Sequence, residues 1–253
     1  MSTLFTGISE LRTVSERGTL NDAALVAESG TISWIGPASE APAADEKVDL
    51  GGRAVLPGWV DSHTHMVFDG DRSAEFEARI SGGSYEAGGI AVTMDATRQA
   101  GTDRLDKLVA DRVAAGRRGG TTTFETKTGY GLNTESEVEA AKVASRHVDD
   151  VTFLGAHLVP PGADAEDYLD EVVGPMLEGV APYVQWIDVF CERGAFNEEQ
   201  SRRVLEAGKK LGLGLRVHGN QLGEGPGVAL AVELGAASVD HVNHLSDEDV
   251  ELL

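Results

Sequence analysis

The chain has 253 residues, and its 42 Asp and Glu against 21 Lys and Arg give a formal net charge of −21. A hydrophobic content of 41% is too high for a disordered chain, and the length suffices for a real core in one large or two modest domains. No apolar run approaches 18 residues, which excludes a helical membrane span, and the acidity argues against nucleic acid and anionic membrane surfaces as partners.

The first residues, 1–11, lack a basic region followed by an apolar stretch, so no secretory signal is read there. Short alternating runs at 4–8, 24–26 and 31–35, separated by turn signals at Gly18, Gly30 and Gly36-Pro37, predict a small antiparallel β unit. Residues 38–46 read as an exposed connector. From Ala54 the rhythm changes. Apolar runs rich in β-branched residues recur at 55–60, 121–124, 151–154, 186–190, 213–217 and 237–239. Between them the 3.6-residue period predicts helices over 105–118, 135–147, 165–177, 197–211 and 226–234, with Asn133-Thr134 and Asn197 as N-caps and Gly212 closing a C-terminus. Strands and helices alternating at this pitch mean βα units on a parallel sheet; periodicity alone leaves both an open doubly wound sheet and an eight-fold barrel. The single cysteine, Cys191, cannot form an internal disulfide and fits a reducing cytoplasm.

Six of the seven histidines, His63, His65, His157, His218, His241 and His244, fall at or just past the carboxyl end of a predicted strand, the edge where parallel barrels build their sites. The seventh, His147, lies in a helical stretch and reads as a surface or cap residue. His63-Thr-His65 follows the run at 55–60, and residues i and i+2 of a strand share a face, so both imidazoles can converge on one ion. With His218 and His241 from other strands, the set suits a divalent ion such as zinc or iron(II).

The segment Leu56-Pro-Gly-Trp-Val-Asp-Ser-His-Thr-His65 resembles the entry strand of the metal-dependent amidohydrolase superfamily. Phe68-Asp-Gly-Asp-Arg72, Lys127-Thr-Gly-Tyr-Gly-Leu132, Thr152-Phe-Leu-Gly-Ala-His157, Asp188-Val-Phe-Cys-Glu192 and Val217-His-Gly-Asn-Gln221 narrow the resemblance to the imidazolonepropionase family, from about residue 5 onward. The resemblance implies an α/β fold: a (β/α)8 TIM barrel, incomplete here, with a small β-sandwich to which residues 1–53 contribute and six βα units within 54–253. It further implies that the last two strands, the rest of the sandwich and an aspartate ligand lie outside these residues, so that the 253 residues alone should hold metal weakly and turn over near background.

The chemistry implied is ring opening of 4-imidazolone-5-propanoate to N-formimidoyl-L-glutamate, a step of histidine degradation, with one divalent ion, zinc or iron. His63, His65 and His218 match the family's histidine ligands, and His241 and Gln221 its catalytic positions. Arg72, Tyr85, Tyr130, His157 and Gln221 match the substrate-binding positions. Arg72 suits a bidentate grip on the propionate, although it can instead pair with Glu75, and Tyr85 can be a packing residue. Gln221 can hydrogen-bond the ring but cannot serve as a general base. The partners expected are a small-molecule substrate and further copies of the chain; a deaminase of the same superfamily is the main rival reading.

Overall fold

The computed structural model describes residues 1–81 and 89–253, and the chain divides into two compact units, Met1–Trp59 and Val60–Leu253. Tyr85 lies outside the described residues.

The first unit is one four-stranded sheet in the order β3-β2-β1-β4, built from β1 (Ser2–Arg12), β2 (Thr19–Glu28), β3 (Thr31–Pro37) and β4 (Glu46–Val55). The first three strands pair antiparallel, as their alternation and glycine turns predict. The fourth corrects the expectation. β4 pairs parallel to β1, so the unit is mixed, and Val55 belongs to this sheet and not to the first barrel strand. Gly51 and Gly52, both at positive φ (+63° and +79°), insert an irregularity that shifts the β1–β4 register and hides the two-residue period from the sequence. Alternate residues of β2 go to opposite faces: Ala23 and Leu25 pack with Ile8 and Leu11, while Ala24 and Val26 pack with Leu4.

From Trp59, the last residue of the first unit, onward the chain carries a six-stranded sheet in sequential order: β5 (Trp59–Asp61), β6 (Thr121–Lys127), β7 (Asp150–Ala156), β8 (Trp186–Cys191), β9 (Gly214–Gly219) and β10 (Ser238–His241). The pairings from β6 through β10 are all parallel. Five inter-strand steps of about 4.8 Å would separate β5 from β10 by about 24 Å in a flat sheet. Instead His63, two residues past β5, places Nδ1 3.0 Å from Asp240 Oδ2 on β10. The sheet is therefore curled like part of a barrel wall, which decides between the two architectures that periodicity leaves open.

Three helices, α1 (Ser73–Ile80), α2 (Gly89–Ala100) and α3 (Thr102–Arg118), fill the long interval between β5 and β6. Each later strand is followed by helix: α4 (Thr134–Ala144), α5 (Ala165–Glu171) with α6 (Leu177–Val180), α7 (Glu198–Lys210), α8 (Gly227–Leu234) and α9 (Asp247–Leu252). Asn133 and Asn197 accept hydrogen bonds from the backbone N–H of Ser136 and Gln200, as expected of N-caps. The helix expected over 165–177 is broken: Gly174 leaves helical dihedrals immediately before Pro175, whose ring and missing N–H disfavour a continuous helix. The core of this unit joins the strand residues Phe124, Val151, Phe153, Ile187, Val189, Leu215 and Val217 to the inner faces of the helices. Among the described residues no helix is long and apolar enough to cross a membrane.

Candidate active site

Thr64 stitches the His-Thr-His segment to β6. Its N–H donates to Glu125 Oε2 (3.1 Å), its hydroxyl to the Glu125 carbonyl (2.6 Å), and its carbonyl accepts from the Lys127 N–H (2.9 Å). With Thr64 so held, period-two alternation brings His63 and His65 to one side, and His218 reaches the same point from the end of β9. His65 Nε2 lies 3.2 Å from His63 Nε2 and 3.4 Å from His218 Nε2. His63 Nδ1 faces Asp240 Oδ2 at 3.0 Å, and His218 Nδ1 faces Asp188 Oδ2 at 2.9 Å. A carboxylate at Nδ1 selects the tautomer whose lone pair is on Nε2.

Burial first, then the neighbouring His218, His157 and His63, hold His65 well below the ordinary histidine pKa, so its ring is neutral. Burial alone would raise Asp188, but His218 and Lys127 outweigh it and keep this carboxylate below its usual range. The Nε2 atoms of His63 and His218 thus approach that of His65 at 3.2 and 3.4 Å, an arrangement that a cation satisfies. Metal–nitrogen bonds of about 2.0–2.1 Å in a tetrahedral site put nitrogens about 3.3–3.4 Å apart, which these spacings match. The donor set, His63, His65 and His218, fits a metal ion.

His241, at the end of β10, completes a ring of imidazoles, its centroid 5.1 Å from His218 and 5.3 Å from His63. Partial desolvation, then His218 and His63, lower its pKa to about 4. Its φ of +75° and the +43° of Val242 are left-handed conformations that non-glycine residues rarely adopt. Within the second unit's described residues the other non-glycine positions of this kind are Leu132 and Asn220, so all four flank Tyr130, Gln221 and His241.

His157 is buried with its ring stacked on His65 (5.6 Å) and Nδ1 2.9 Å from the Gly129 carbonyl. Tyr130 meets both rings edge-on, at 5.8 Å from His65 and 5.4 Å from His157. The same tyrosine lines a cavity of about 470 Å³ together with Arg72, Phe68, Thr93 and Arg112. Arg72 and the histidine cluster are thereby joined through Tyr130. The Glu75 side chain lies outside the described residues. Gln221 is held through its backbone: its N–H and that of Leu222 both donate to Glu192 Oε2 at 3.0 Å. Among the described residues its side chain makes no hydrogen bond, so the structure does not draw it into the cluster as it does His157. His244 and His147 stand apart: His244 N–H donates to the Asn220 carbonyl, and His147 pairs with Asp106.

Sequence reasoning missed the charged residues behind the imidazoles: Glu125, Lys127, Asp188, Arg216 and Asp240. The signal was available, because a charge inside an apolar run such as Trp186-Ile-Asp-Val-Phe190 needs a partner when the strand is buried. It also missed Glu137, whose buried carboxylate accepts the backbone N–H groups of Gly129 (2.8 Å), Gly131 (2.7 Å) and Leu132 (2.9 Å) and shapes the loop that carries Tyr130.

A curled parallel sheet with imidazoles clustered at its carboxyl edge defines the amidohydrolase class of fold. A solved amidohydrolase structure superposes with a TM-score of 0.63 at 16% identity, covering 100% of this chain and 63% of that one. The particular relatives are much closer in sequence. An imidazolonepropionase of Arthrobacter sp. (strain FB24) is 66% identical over 100% of this chain and 64% of its own length. One of Streptomyces coelicolor is 53% identical over 100% of this chain and 67% of its own length. The chain belongs to the imidazolonepropionase family. It spans about 64% of the length of the Arthrobacter relative, and no family model matches it.

Proposed function

We propose that the protein carrying this chain hydrolyses 4-imidazolone-5-propanoate to N-formimidoyl-L-glutamate. The observation that carries this reading is the convergence of His63, His65 and His218 through Nε2, with two of the three rings backed by carboxylates. These three residues would hold one ion, zinc or iron; when bound, such an ion lowers the pKa of water and supplies a nucleophile at neutral pH.

The chain's own residues do the rest. Arg72 grips the propionate from the wall of the cavity that Tyr130 also lines. This local cation is needed because a net charge of −21 repels an anionic substrate. Tyr130 donates its hydroxyl hydrogen, and His157, with Nδ1 facing the Gly129 carbonyl, presents its other nitrogen to the substrate. His241, neutral at physiological pH, takes a proton as water adds to the ring carbonyl and returns it to the ring nitrogen as the C–N bond breaks. Gln221 hydrogen-bonds the ring, and Tyr85 adds a hydroxyl. Residues 1–53 contribute one part of a small β-sandwich domain.

The test is turnover of imidazolone propionate by the full-length protein, following formimidoyl-glutamate and ammonia separately. Formimidoyl-glutamate without ammonia is expected; ammonia release would move the reading to a deaminase. His63→Ala should lose metal and turnover together, because open catalytic sites rely on three or four protein ligands. Retention of both would sink the ligand assignment.

A further inference from the structure

Lys127 is fully buried at the end of β6, and no step proposed above uses it. Its Nζ lies 3.0 Å from Glu125 Oε1, 3.1 Å from Asp188 Oδ2 and 3.6 Å from Asp240 Oδ2. The two aspartate oxygens are the same atoms that approach His218 Nδ1 and His63 Nδ1, at 2.9 and 3.0 Å. Lys127, Asp188 and Asp240 stand on β6, β8 and β10, and inward side chains of alternate strands share a layer in a parallel barrel. An ammonium without water is costly to bury unless anions surround it. Here burial alone would lower the lysine pKa, and Asp188, Glu125 and Asp240 together raise it, so the group stays charged.

We propose that Lys127 is a positioning residue for the metal centre: its ammonium draws Asp188 and Asp240 together and, through them, sets the His218 and His63 rings so that their Nε2 atoms meet His65. Without it, Asp188, Asp240 and Glu125 face one another with Arg216, 3.6 Å from Glu125, as the other cation paired with them among the described residues. Repulsion among buried anions then moves the carboxylates, and the imidazoles that depend on them lose their common point. Residues behind metal ligands commonly change metal affinity by about 10- to 100-fold. The inference rests on the metal reading above and extends it to a residue outside the ligand set.

Cobalt(II) binding to the full-length protein tests it, read by affinity and by the visible absorption band. Lys127→Met is expected to bind cobalt(II) about 10- to 100-fold more weakly, with an altered band. Asp240→Asn, further along the same relay, is expected to change both in the same direction. The double variant should bind far better than the two losses multiplied together, because both substitutions break one path. Wild-type affinity and spectrum in Lys127→Met would overturn the inference even with a lowered urea midpoint, since the lysine would then be purely structural. If Lys127→Met does not fold, Asp240→Asn decides: unchanged affinity and spectrum there overturns the relay. A wild-type protein that binds no cobalt(II) overturns the metal reading itself, before any variant is compared.

Discussion

Arg72 lines the 470 Å³ cavity together with Tyr130, whose ring meets the imidazole of His65. A guanidinium offers a planar fork to a carboxylate and an ammonium does not. Arg72→Lys should therefore lower kcat/KM by about 10- to 100-fold, the equivalent of about 1.5–3 kcal/mol for a charge-assisted contact. Steady-state kinetics decides; unchanged values would reassign Arg72 to loop structure. His157 carries a second prediction. Burial, then His218, depress its pKa from 6.5 to about 3. Between those values the unfolded chain takes up a proton that the folded one refuses. The metal-free protein should thus hold the full contribution of this group above about pH 6.5 and lose it as pH falls toward 3, by up to about 1.4 kcal/mol per pH unit. Urea midpoints across that range should fall less steeply in His157→Gln, which cannot titrate; an identical slope would show that other groups carry the proton.

At the scale of elements, the loop between β6 and α4 shows how one side chain positions others. Glu137, in the first turn of α4, accepts three backbone N–H groups from residues 129–132, and Arg98 donates to the Gly131 and Leu132 carbonyls. Gly129 is at φ +105°, and a Cβ there would stand 2.5 Å from the Leu154 carbonyl oxygen and 3.1 Å from His157 Nδ1, so only glycine lets this loop close on His157. Glu137→Ala leaves three buried donors without an acceptor. At about 1–3 kcal/mol each, the loss should be at least about 3 kcal/mol in urea unfolding. The loop also sets Tyr130 and the Gly129 carbonyl that holds His157, so KM should rise in parallel; a stability loss with KM unchanged would separate the loop from substrate binding.

For the whole molecule, the metal should act as a ligand of the folded state alone. His63 and His65 come from the β5 end of the curled sheet and His218 from β9, so the unfolded chain has no such site. Saturating zinc or iron at about 1,000 times its Kd should add about 4 kcal/mol to stability, growing with the logarithm of free metal. A chelator should reverse it. A urea midpoint insensitive to metal in the full-length protein would mean that the imidazole cluster does not hold an ion when folded.

Local physics made much of this protein legible in one dimension. Asn133 and Asn197 announce helix starts because a cap acts within three residues, and His63 and His65 share a face because strand alternation is strictly local. The gathering of histidines behind apolar runs marked one edge of a parallel sheet for the same reason. Where local signals conflict, the sequence misled: the glycine pair in β4 obscured a strand, and Pro175 broke a helix whose apolar period continues past it. Curvature, by contrast, is a property of six strands at once, and only the folded sheet brings His63 within 3.0 Å of Asp240, residues 177 positions apart in the chain. The roles of Lys127, Asp188 and Asp240 belong to that same level, because a buried charge is defined by the partners that tertiary structure supplies, and no spacing along the chain names them.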